Sequence, residues 1–92
     1  MTAVITLDVS ELEPPRPMQE ICQILTNLHQ GQLLHVKHRR EPVPLFSILE
    51  QQQFDYRHTE EGEGKHHIRI WHKGDKLALN SLMRHSDATD RT

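Results

Sequence analysis

The stretch LEPPRPM, residues 12–18, decides how this 92-residue chain folds. Its three prolines fall within four residues and exclude a helix interior, because proline lacks the backbone N–H and its ring clashes with the preceding turn. Proline is favoured in the first turn of a helix. Since residues 3–9 are β-branched and apolar, as in a strand, the stretch predicts a corner between a strand and a helix.

The pattern on either side of this corner predicts the element order β-α-β-α-β-β. After the corner, apolar residues recur from Met18 to Leu28 at a spacing of three and four, which is typical of an amphipathic helix. Residues 32–38 predict a second strand and residues 41–53 a second helix that opens on two prolines. The last two strands, residues 54–59 and 65–73, flank a glycine-containing turn, and right-handed crossovers place both helices on one face of the sheet.

The hairpin of the last two strands has a predicted register. Pairing Thr59 with Lys65 places His58 opposite His66, and Asp55 then lies opposite a positively charged arginine, Arg69. A slip by one residue would mix the two faces of the sheet, so the alternation of apolar and polar residues favours this alignment.

Composition limits the classes of protein to which the chain can belong. The length predicts one domain, residues 1–73, followed by a polar tail, residues 74–92, that is either frayed or a short helix. A formal net charge of −2 argues against nucleic-acid binding. Cys22 is the only cysteine, so an intramolecular disulfide is excluded. The apolar runs are too short to span a membrane and the N-terminus does not read as a secretory signal, so a cytoplasmic location is expected.

Two motifs resemble a known family. The run LDVSELEPPRPM, residues 7–18, resembles the opening of the TusA/SirA-like family, in particular its uncharacterised branch with a Pro-Pro corner. The run HRREPVPL, residues 38–45, resembles the start of the second helix in that branch, and the likeness covers about residues 4–72. It implies a two-layer α/β sandwich (α+β) with a mixed four-stranded sheet in the order 1-2-4-3, its fourth strand antiparallel to the others. This is the fold of the C-terminal domain of translation initiation factor three.

The same resemblance bears on chemistry. Sulfur-carrier members of the family use a Cys-Pro-x-Pro corner whose cysteine carries a persulfide. Aligning the prolines places Pro14 at the cysteine position, so the sulfur-relay role does not transfer to this chain. Cys22 lies on the apolar stripe of the first helix, where a cysteine is usually a small buried hydrophobe.

The implied topology gathers candidate binding residues at one edge of the sheet. The carboxyl ends of the parallel strands share that edge, which is where open α/β sheets usually bind ligands. The candidates for a partner or anion site there are Pro14, Pro15, Arg16, Pro17, Arg39 and Arg40. Trp71 is a further candidate on the opposite face of the sheet, which nothing in a two-layer fold covers.

Histidines at the same edge suggest a second type of site. Strand parity places His38, His58 and His66 on the face covered by helices, where three imidazoles would form a divalent transition-metal site. The simpler interpretation is that they are solvated histidines at the rim.

The sequence thus predicts a small module without enzymatic activity of its own that binds a protein partner, not yet identified, or a small ligand. The alternatives are a sulfur-trafficking or redox accessory protein and a histidine-based metal-binding protein.

Overall fold

A computed structural model describes residues 3–80 and 82–83 of the chain. The strands are β1 (Ala3–Asp8), β2 (Gln32–His38), β3 (Phe54–Glu60) and β4 (His66–His72). The helices are α1 (Arg16–Thr26), α2 (Val43–Gln51) and a C-terminal helix, α3, formed by residues 76–80 and 82–83.

The four strands form one sheet in the order β1-β2-β4-β3, which confirms the predicted topology. β1 is parallel to β2, whereas β4 is antiparallel to both of its neighbours, β2 and β3. The carboxyl ends of β1, β2 and β3 therefore meet at the same edge of the sheet, as the sequence predicted.

Prolines mark the start of both main helices. Pro17 lies in the first turn of α1 and Pro44 in the first turn of α2, where a backbone N–H would have no acceptor within the helix. Neither helix has a side-chain hydrogen bond at its N-cap. Packing of their apolar faces must therefore hold these helices in place.

The main core fills the space between these two helices and the sheet. Central strands β2 and β4 contribute Leu34, Val36, Ile68 and Ile70, which are all fully buried. These are alternate residues of each strand, so the predicted assignment of faces is confirmed. Cys22 is half-buried, more exposed than the predicted buried hydrophobe.

The predicted hairpin register is wrong by two residues. Glu60 pairs with His66, and Arg57 lies opposite Arg69, in place of the expected Asp55. A slip of two residues keeps every side chain on its own face, so the apolar pattern that excludes a slip of one cannot exclude it. The turn itself sets the register: Gly62 and Gly64 both have positive φ, and the loop closes between Glu60 and His66.

The C-terminal helix covers part of the face that the sequence left open. Trp71 is only 7% exposed, because it packs with Leu33 against Ala78 and Leu82 of α3 in a second, smaller core. The expectation that Trp71 lies on an uncovered face is therefore wrong, since the sequence analysis did not place the tail helix against this face of the sheet.

Asp75 fixes α3 in this position. Its carboxylate accepts a hydrogen bond from the backbone N–H of Ala78, which caps the helix, and another from the N–H of Gly31 before β2. Over its described residues, the tail thus follows the short-helix alternative rather than the frayed one; residues 84–92 lie outside the described part. None of the helices in the described ranges is long and apolar enough to cross a membrane.

Candidate functional site

All five prolines of the chain line a single groove. The groove has a volume of about 290 Å³ and lies at the carboxyl edge of the sheet, between the starts of α1 and α2. Its lining consists of Pro14, Pro15, Pro17, Met18, Ile21, His38, Arg40, Glu41, Pro42 and Pro44. Seven of these ten residues are apolar, so most of the groove surface is apolar, and its polar groups are His38, Arg40 and Glu41.

The fold brings two separate loops together to make this groove. One is the proline corner after β1, and the other is the loop between β2 and α2. The backbone N–H of Val9 donates to the carbonyl of Lys37 at 2.9 Å and extends the β1–β2 pairing up to the corner. Pro17 and Pro42 are buried, whereas Pro14 and Pro44 remain exposed at the rim.

Sequence reasoning found half of this groove. It placed Pro14, Pro15, Pro17 and Arg40 at the binding edge, and the structure brings all of them into the lining. It missed the contribution of Pro42 and Pro44 from the second loop. The signal for them was present, because parallel strands β1 and β2 bring the three prolines of the first loop and the two of the second to one edge.

Three arginines were predicted to form a patch at this edge, but the structure gives them different surroundings. Arg39 pairs with Glu13 at 3.2 Å, and Arg16 lies 4.0 Å from Glu20 on the same helix. Neither belongs to the lining of the groove. The guanidinium of Arg40 lines the groove and has no carboxylate partner among residues 3–80 and 82–83.

His38 also lines the groove, in a defined protonation state. Burial, together with the nearby His66, Arg39 and Arg40, lowers the pKa of His38 below its ordinary value. The ring is therefore neutral at pH 7. Its Nδ1 accepts a hydrogen bond from the backbone N–H of Arg40 at 3.1 Å, so the single ring proton lies on Nε2.

The three histidines of the predicted metal site do come together. His38 pairs directly with His66 across β2 and β4, and His58 Nε2 lies 2.9 Å from His66 Nδ1. The His58 and His66 rings share a hydrogen bond, so the facing nitrogens are directed at each other. Within the described residues, no group of three or more His, Cys, Asp or Glu side chains is arranged to hold a metal ion.

A second histidine pair lies on the opposite face of the sheet. His35 Nε2 is 2.8 Å from His67 Nδ1, and His67 Nε2 lies 3.4 Å from Glu61. The β2–β4 register brings these two histidines within hydrogen-bond distance.

Two further cavities lie outside the groove. A polar cleft of about 440 Å³ lies beside the hairpin turn, where its walls include Lys37, Lys65 and His67. Trp71 lines a third cavity next to α3, together with Asp55 and Lys76. Trp71 is therefore not part of the proline-lined groove, although both were predicted as binding features.

Comparison with known proteins identifies a family for most of the chain. No curated protein and no solved structure matches it. Residues 6–72 match a family described as an uncharacterized conserved protein. The matched range includes both groove loops, the part of β1 from Thr6 onward, and the whole of β2, β3 and β4. By this match the chain belongs to the uncharacterized conserved protein family DUF2249.

Proposed function

We propose that this protein is a non-enzymatic binding module and that the proline-lined groove is its binding site. The observation that carries the proposal is the convergence of all five prolines on one apolar groove at the carboxyl edge of the sheet. Proline side chains are rigid, so a groove built from them is preorganised and loses little conformational entropy when a ligand binds.

The lining of the groove supports binding rather than covalent catalysis. It contains no cysteine, serine, threonine or lysine that would act as a nucleophile. Cys22 lies on α1 but outside the lining. The Nδ1 of His38 already accepts the backbone N–H of Arg40, and the Glu41 carboxylate lies 3.9 Å from Nδ1 of His58, which is outside the lining.

The resemblance to the TusA/SirA-like family supplies the alternative function, a sulfur-trafficking accessory protein. At this corner Pro14 stands where the sulfur carriers have their cysteine, so we propose that the module holds no persulfide. Incubation with a cysteine desulfurase and its substrate, followed by mass spectrometry, tests this point. A persulfide on Cys22 would favour the alternative. A cytoplasmic location and the absence of nucleic-acid binding stay predictions of the same proposal.

Methyl NMR tests the groove directly. Labelled methyl groups of Met18 and Ile21 report on the groove from its lining while a library of small organic compounds is screened. We expect compounds that bind to shift both signals. Compounds that shift only signals away from the groove would contradict the proposal.

A matched pair of variants sharpens this test. Pro44→Glu introduces a charge at the rim of the groove at a position that tolerates glutamate, the first turn of α2. Ser47→Glu introduces the same charge on the exposed side of the same helix, outside the lining. We expect Pro44→Glu to weaken binding about tenfold, since it places a carboxylate against apolar ligand surface, and Ser47→Glu to leave it unchanged. Equal effects of the two variants would exclude the groove as the site.

A further inference from the structure

We propose that the ligand of the groove is a small carboxylic acid with an apolar body, bound with its carboxylate at Arg40 and His38. This inference rests on the proposed function, because it assigns a ligand class to the same groove. It follows from the charged group and the hydrogen-bond donor at this edge that the described contacts leave available to a ligand.

Arg40 supplies the positive charge. Of the three arginines at this edge, Arg39 and Arg16 each have a glutamate within 4.0 Å, whereas Arg40 has none among the described residues. Arg40 also lines the groove, and no carboxylate of the described residues lies within 4.0 Å of its guanidinium. A guanidinium binds a carboxylate through two parallel hydrogen bonds, which makes a carboxylate its natural partner.

His38 supplies a neutral hydrogen-bond donor at the same rim. Because Nδ1 already accepts the N–H of Arg40, Nε2 carries the proton and donates. A neutral N–H group can donate a hydrogen bond to a carboxylate oxygen, and it adds no second positive charge that the ligand would have to balance. Together the two groups match one carboxylate, rather than a phosphate with its higher charge.

Glu41 is the one acidic group in the lining, and its carboxylate lies near a histidine outside the lining. Its Oε2 lies 3.9 Å from Nδ1 of His58, across the loop from the groove. His58 is in turn hydrogen-bonded to His66, which lies 3.5 Å from Glu60. Among residues 3–80 and 82–83, no ion pair joins Glu41 to Arg40, so the guanidinium stays available to an acid bound in the groove.

The remaining lining residues determine the size and polarity of the ligand's apolar part. Met18, Ile21 and the prolines line the groove with apolar carbon atoms. The prolines have no backbone N–H that could bind a polar part of the ligand. The volume of about 290 Å³ is at the small end of ligand pockets, which run to roughly 1,000 Å³. The volume of the groove therefore matches an acid whose apolar part is a short or medium chain or a single ring.

Calorimetric titration of the full chain at pH 7.5 tests the assignment with two probes, octanoate and 1-octanol, which share a chain and differ in the head group. We expect octanoate to bind about tenfold more tightly than 1-octanol, as a charge-assisted hydrogen bond requires. Arg40→Ala should remove most of this preference and leave 1-octanol unaffected. The matched control is Arg16→Ala, which removes the same charge from the same edge outside the lining and should retain the preference.

The outcomes separate the two proposals. Equal binding of the two probes at the groove overturns the carboxylate assignment and leaves the groove as a binding site. Binding of neither probe, with no shift of the Met18 and Ile21 methyl signals, counts against both proposals. An equal loss in Arg16→Ala and Arg40→Ala overturns the assignment of Arg40, because it shows attraction by overall charge alone.

Discussion

Each proline of the groove occupies a position where a missing N–H costs the fold little. Pro15 and Pro42 precede the two helices, and Pro17 and Pro44 lie in their first turns. Helix N-termini usually bind anions through free backbone N–H groups, but these positions provide none. Recognition at this edge therefore depends on side chains, and His38 and Arg40 become the groups that matter.

His38 makes a testable contribution to acid stability. Its pKa is lowered in the folded protein, mainly by burial and further by His66, Arg39 and Arg40, so the unfolded chain binds the proton more readily. The associated stability is present above the unfolded pKa, about 6.5, and is lost as the pH falls from there through the lower folded pKa. His38→Gln should therefore lose less stability than the wild type between pH 7.5 and pH 5, measured by urea unfolding.

The control for this experiment is a histidine on the other side of the molecule. His29→Gln changes an exposed residue in the loop before β2. It should show the same loss of stability in acid as the wild type. If His38→Gln also follows the wild type, burial of His38 does not perturb its titration.

At the scale of elements, hydrogen-bonded histidine pairs join β4 to both of its neighbours. His66 bonds to His58 of β3 on the face covered by α1 and α2, and His67 bonds to His35 of β2 on the other face. An N–H···N bond needs one donor and one acceptor, so each pair accommodates a single proton between its facing nitrogens. This requirement orients the rings towards each other and explains why the predicted three-histidine metal geometry does not form within the described residues.

The attachment of α3 can be tested through the only tryptophan in the chain. Asp75→Ala removes the cap of α3 and its bond to the Gly31 N–H, which should lower the free energy of unfolding by about 1–2 kcal/mol. Loosening α3 should also expose Trp71, so its fluorescence should shift to longer wavelength. Lys76→Ala, at an exposed neighbouring position, should change neither quantity. An unshifted Trp71 spectrum in Asp75→Ala would show that packing alone holds the helix.

At the scale of the whole molecule, one small core must stabilise the fold. Chains of this length bury a modest fraction of their surface, so the buried side chains of the two central strands carry much of the stability. Among the described residues, the second core under α3 has four buried members. Damage to the main core should therefore affect the entire sheet, including the edge that carries the groove.

Ile70 provides the test of this dependence. It is fully buried on β4, between Leu34 of β2 and Tyr56 of β3. Ile70→Ala should lower the free energy of unfolding by about 2–5 kcal/mol in a urea titration, through lost burial and the cavity left behind. The control is Val4→Ala, at a position 43% exposed on edge strand β1, for which a much smaller loss is expected. Similar losses for both would contradict a core centred on β4.

The success of sequence reasoning depended on whether a feature is local. The proline corner and the alternation along β2 and β4 are properties of neighbouring residues, and the elements and faces they predict are confirmed. The hairpin register depends on how many residues the turn takes up, and the prediction was wrong by two. The cover over Trp71 depends on where the tail helix packs, and the sequence did not predict that Ala78 and Leu82 contact this face of the sheet.

The same difference between local and long-range features applies to the candidate site. Sequence analysis placed Pro14 and Arg40 at the carboxyl edge, because they follow predicted strands that run parallel in the topology implied by the family resemblance. Only the tertiary structure decided that Pro42 and Pro44 line the same groove, and that Arg39 pairs with Glu13 while Arg40 has no carboxylate partner in the described part of the chain. Spacing and periodicity are set by covalent geometry, whereas ion pairs, tautomers and cavities depend on distances between segments far apart in the chain. Those distances exist only after the sheet has brought the segments together.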